Sequence, residues 1–144
     1  MFGLRKEVKK TKTVRKKAVR KDLEWNVDGK LQEQLEQVIT AIGFDHVRPG
    51  RVFCYRTYNS KARAYARIWA FPKIFQEVLR VEPAYVIEVL SEKFDRLSDQ
   101  DKIKVLIHEL LHIPKNFSGS LLPHKYGGKR IDREVEKIYK LMRK

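Results

Sequence analysis

The sequence predicts an α+β fold: a small sheet, a helix bearing two of the four histidines, and a C-terminal helix, preceded by a basic arm. Three observations carry this expectation. Residues 51–58, 64–71 and 85–90 have strand-like composition or period-two alternation, while three other segments repeat apolar residues at helical spacing. Residues 1–21 show neither pattern and contain no aromatic residue after Phe2. The expected division is therefore an extended arm over 1–21 and one domain over 22–144, and a 144-residue chain is long enough to bury a real core.

The elements follow in order. Asp28-Gly29 is a turn signal, after which Leu31, Leu35, Val38, Ile39 and Ile42 recur at helical spacing until Gly43 stops the helix. Pro49-Gly50 marks a second turn before the strand containing Val52, Phe53, Cys54, Tyr55 and Tyr58. In 64–71, Tyr65, Arg67, Trp69 and Phe71 share one face and Ala64, Ala66, Ile68 and Ala70 the other. The small alanine face lets a helix approach closely, and the aromatic face suits core or edge packing. Pro72 ends this strand, and Ile74, Phe75, Val78 and Leu79 suggest a short helix. Pro83 opens a strand from Tyr85 to Leu90, in which Glu88 either faces a cleft or sits exposed. Ser98 caps a helix whose stripe is Ile103, Leu106, Ile107, Leu110 and Leu111, running until Pro114. A last helix covers about 130–142, with Ile131, Val135, Ile138, Tyr139 and Met142.

Charge is distributed unevenly. The arm holds Arg5, Lys6, Lys9, Lys10, Lys12, Arg15, Lys16, Lys17, Arg20 and Lys21 against Glu7 alone, a net +9 of the chain's +14. Such an arm suits a polyanionic partner, RNA or a ribosome being the usual kind. Tyr55, Arg56, Tyr58, Arg63, Tyr65 and Arg67, with the basic stretch from Lys140 to Lys144, could extend that contact. Cys54 is the single cysteine, so no internal disulfide forms, and a reducing cytoplasm is the expected location. Cys54 itself reads as a small buried hydrophobe. No apolar run is long enough to span a bilayer, and no secretory signal is expected.

The chemistry concentrates in His108-Glu109-Leu110-Leu111-His112. Histidines four residues apart lie one turn apart on the same helix face, so their rings can converge on one ion. Glu109, about 100° round from His108, can act as a base for water made acidic by that ion. A catalytic zinc usually takes three protein ligands and keeps one position open. His124, twelve residues beyond His112, is the natural third ligand; Asp132 and Glu134 compete for the place. His46 stands alone and reads as a surface residue, while Tyr126 and Arg130 are candidate oxyanion partners only by their nearness to His124.

The segments Pro83-Ala84-Tyr85-Val86-Ile87-Glu88-Val89, Phe94-Asp95-Arg96-Leu97-Ser98 and His108-Glu109-Leu110-Leu111-His112-Ile113-Pro114 resemble a family of small archaeal metallopeptidases. Phe117-Ser118-Gly119 and Pro123-His124 continue the likeness, which covers roughly 51–142 and excludes the arm. More distantly, the motif order is similar to SprT-like zinc domains. The resemblance implies a minimal zincin-like domain with zinc on His108, His112 and His124, Glu109 as base, and a peptide or protein substrate.

Two functions are therefore expected as alternatives. One is a zinc metallopeptidase; the other is an RNA- or ribosome-associated protein whose metal site is idle or structural. A purely structural zinc is disfavoured, because such sites close with four ligands, commonly cysteines, and only Cys54 exists.

Overall fold

The structure is a computed structural model and describes residues 21–124 and 129–144. All of the basic arm except the exposed Lys21 therefore lies outside the described residues, as does Tyr126.

Four strands form one mixed sheet in the order β1-β2-β4-β3, where β1 is Glu24–Val27, β2 Val52–Tyr58, β3 Ala66–Trp69 and β4 Tyr85–Leu90. Strands β2 and β4 are parallel, with Cys54 opposite Ile87; β1 and β3 pair antiparallel at the two edges. The short strand β1 has no counterpart in the sequence reading. Its four residues alternate too briefly to be legible, and pairing with β2 is what makes it a strand.

Among the described residues, five α-helices accompany the sheet: α1 Gly29–Ile42, α2 Lys73–Leu79, α3 Ser91–Phe94, α4 Asp99–Leu110 and α5 Lys129–Met142. The Asp28 carboxylate accepts the Leu31 N–H at 3.1 Å, so the expected turn is the N-cap of α1. Gly43, at φ 68°, ends that helix in the left-handed conformation. The same Asp28 also pairs with Arg56, which reaches Asp95 and Ser91 just beyond β4. One guanidinium thereby ties the start of α1 to α3.

The core lies between one face of the sheet and helices α1, α4 and α5. Val52, Cys54, Ile87 and Val89 supply the sheet side; Leu35, Val38, Leu106, Ile107, Leu110 and Val135 supply the helix side. Each fully buried aliphatic side chain of this kind contributes about 1.5–3 kcal/mol. Ala66 is buried and Ile68 partly buried on the small-residue face of β3, which lets α4 pack against this edge strand. The opposite face of β3 is not core: Tyr65 and Trp69 are half exposed. Among the described residues, no helix is long and apolar enough to cross a membrane.

Candidate metal centre

The centre is built on the end of α4. Ser98 caps the helix by accepting the Asp101 N–H at 3.1 Å. Leu106, Ile107 and Leu110 are fully buried, and this fixes the helix rotation, bringing His108 to the edge of the cleft. The helix stops at Leu110, not at the proline four residues on. His112 N–H bonds the Glu109 carbonyl and Ile113 N–H the Leu110 carbonyl, both at 3.1 Å, so the chain tightens into turns spanning three residues. His112 thus sits on the turn just past the helix and is buried there.

The following loop returns because it is bonded back onto that turn. Leu122 N–H donates to the His112 carbonyl at 2.7 Å, and the His112 Nδ1–H donates to the Leu122 carbonyl at 2.6 Å. The second bond fixes the ring so that Nε2 is left for a metal. Two residues later, His124 reaches the same point. Its Nε2 lies 2.8 Å from Nε2 of His108 and 3.1 Å from Nε2 of His112. The ligand atoms of the three histidines all lie within 4.8 Å of one another. Nitrogens this close can share one ion at the bond length of about 2.0–2.1 Å that imidazole makes to zinc. Burial holds His108 below its ordinary pKa, assisted by the neighbouring His112 and His124; burial likewise lowers His112. Both rings are thereby kept in the neutral form that metals bind.

The loop between the two ligand segments is locked at its midpoint. Tyr85 hydroxyl accepts Gly119 N–H and donates to the Ser120 carbonyl, each at 2.8 Å. Phe117 packs edge-on against the Tyr85 ring at 5.0 Å. Gln76 donates to the Phe71 and Ser118 carbonyls at 2.7 and 2.9 Å. These contacts place the chain so that Leu122 and His124 arrive opposite His112.

Glu109 is buried beside the triad, 8% exposed. Burial pushes its carboxyl up to about 7, with the Ile68 backbone N–H drawing it partly back. Its side chain and His108 line a cavity of about 540 Å³ between β3, α4 and α5, walled by Ala66, Leu97, Val105 and Val135.

The competing carboxylates fall elsewhere. Asp132 approaches His108 at Nδ1, 3.7 Å away and on the ring edge turned from the other histidines, so it can orient that ring. Glu134 is exposed and stands outside the histidine cluster. His46 is half-buried against Phe44. Arg130 is exposed at the start of α5 beside Leu122 and Pro123. Glu88 faces neither a cleft nor solvent. It is 1% exposed on the sheet face away from α4, bonded by Trp25, Thr57, Arg67 and Trp69. The Tyr/Arg alternation of 55–67 likewise does not form one surface, since Arg56 is engaged with Asp28 and Asp95. Leu122 contributes to the centre through its backbone alone, and no side-chain pattern could have announced it.

The end of α4 and its return loop bring three imidazoles together beside a buried glutamate in an α+β domain, a cluster that could hold a metal ion. The family model described as "Putative phage metallopeptidase" matches residues 23–143, and the chain belongs to that family. No curated protein and no solved structure matches the chain.

Proposed function

We propose that this protein is a zinc-dependent peptidase in which His108, His112 and His124 hold the metal and Glu109 is the general base. The observation that carries this reading is the convergence of the three ring nitrogens beside a buried carboxylate at the mouth of a cavity. Zinc held there would supply Lewis-acid polarisation of a peptide carbonyl and make water acidic near neutral pH.

The chain's own residues account for the remaining steps. Glu109 takes a proton at its carboxylate and returns it to the departing amine, and its burial keeps bulk water from competing for that proton. Strand β3 aligns the substrate. In the β3–β4 ladder, Leu90 N–H bonds the Tyr65 carbonyl, so Ala66 and Ile68 turn their backbone groups away from β4. The Ile68 N–H meets Glu109, and the Ala66 groups and the Ile68 carbonyl remain for the free edge. That edge borders the cavity lined by Ala66, His108 and Glu109, and an extended peptide can add to it as a further strand.

The test is Glu109→Gln in the full chain, with metal content and hydrolysis of an unfolded protein substrate measured together. Metal stoichiometry is retained while hydrolysis falls by about 10²–10⁴-fold, the usual contribution of a general base. Unchanged hydrolysis in that variant refutes the assigned role.

A further inference from the structure

Among the described residues, helices α1, α4 and α5 pack on one side of the sheet, and strand register fixes what the other side presents. Tyr55 pairs with Glu88, and Glu88 pairs with Arg67; Trp25 lies opposite Thr57, and Trp69 opposite Val86. All of these side chains therefore share the face turned away from Cys54, Ile87 and α4. On it Trp25 is 60% exposed, Trp69 51% and Phe53 40%. Among the described residues, about half of this aromatic surface is left open to solvent.

Their orientation is fixed from below. The Glu88 carboxylate receives Trp25 Nε1–H at 2.8 Å and the Thr57 hydroxyl at 2.6 Å on one oxygen. Its other oxygen receives Trp69 Nε1–H at 3.2 Å and the Arg67 guanidinium. One buried anion thus satisfies both indole N–H groups and anchors two large rings whose carbon surfaces remain in solvent. The Arg67 guanidinium also lies 5.1 Å from the Trp69 ring centroid. Such a cost in exposed aromatic area is repaid when flat groups stack on it.

We infer that this face binds a single-stranded nucleic acid, recognised by the faces of its bases and by its phosphates. Stacking on fixed aromatic rings suits every base, which makes such a platform tolerant of sequence. The charge agrees. The chain carries +14, and the segment holding ten of its cations joins the sheet at β1, the strand that bears Trp25. Phosphates are attracted to so basic a chain, whereas a second copy of it is repelled. Because the face lies on the side of the sheet away from α4, the inference stands or falls separately from the peptidase reading.

Trp25 and Trp69 are the only tryptophans, so intrinsic indole emission reports on this face alone. The experiment titrates the full chain with oligothymidylate and with oligouridylate of about 12 nucleotides, following indole emission and the anisotropy of a labelled strand. Both signals saturate together, and Trp25→Leu and Trp69→Leu each weaken binding by about five- to a hundredfold. Binding that leaves wild-type emission unchanged overturns the inference, and this reading requires no variant to fold. So does equal affinity for a duplex, or for the two leucine variants, since cationic attraction alone then explains the binding. Concentration-dependent self-association that quenches the indoles without any oligonucleotide assigns the face to a second copy and also overturns it.

Discussion

Gly119→Ala tests how the loop carries His124 to the centre. Gly119 has φ +91°, and an added Cβ would lie 2.2 Å from Gln76 Nε2 and 2.5 Å from the Phe71 carbonyl oxygen. The left-handed backbone costs about 1–2 kcal/mol for an alanine. Relieving the overlap costs about 1–3 kcal/mol more, because one of the two atoms is backbone and cannot rotate away. The sum, about 2–5 kcal/mol, should appear as a lower urea midpoint with unchanged slope. The displacement also moves Leu122 and His124, so affinity for zinc falls by about 10–100-fold, as when a group that orients a ligand is lost. Repeating the substitution in a Gln76→Ala background should shrink the cost without removing it, since the Phe71 oxygen and the backbone strain remain. A Gly119→Ala protein with the wild-type urea midpoint and zinc affinity would refute the argument.

Other expectations follow from the same geometry. His112→Ala or His124→Ala should abolish stoichiometric zinc binding, while Asp132→Ala should weaken it by no more than about tenfold, measured by competition with a chromophoric chelator. Loss of binding in the aspartate variant would mean that the ligand set is misassigned. Glu88 should support stability in a pH-dependent way. Burial raises its carboxyl, but the donors Arg67, Thr57, Trp25 and Trp69 outweigh this and hold it below the ordinary 4.5. Its contribution is then complete at neutral pH, declines as pH drops below 4.5, and is lost below the lowered folded value. Glu88→Gln should cost about 1–3 kcal/mol at pH 7 and flatten that acid dependence in urea melts. Cys54, whose thiol is pushed up to about 12 by burial, should resist alkylation in the native protein at pH 8 and react once urea unfolds it.

Much of the centre was legible because its signals are local. The Ser98 cap, the Leu106, Ile107 and Leu110 stripe and His108 lie within one helix, where sequence separation translates directly into position, and His112 follows on the turn that closes it. Helix α1 and strands β2 and β4 were legible for the same reason. Strand β1 was not, because four residues acquire strand geometry only from the partner they pair with. Glu88 was misread since its four donors come from three other strands, and a carboxylate in an apolar run has no local sign of being satisfied.

The sequence by itself determined which residues can bind a metal, because donor chemistry belongs to the side chains and a spacing of four keeps His108 and His112 within one turn of each other, on the last turns of α4 and the turn beyond it. The tertiary structure decided which third residue joins them. Backbone bonds between His112 and Leu122, together with the Tyr85 and Gly119 lock, turn the loop so that His124 arrives while Asp132 meets only the far edge of His108. Those forces act between segments distant in the chain and largely through backbone atoms, which no residue pattern encodes. The same holds for the two tryptophans, brought to one carboxylate by strand register alone.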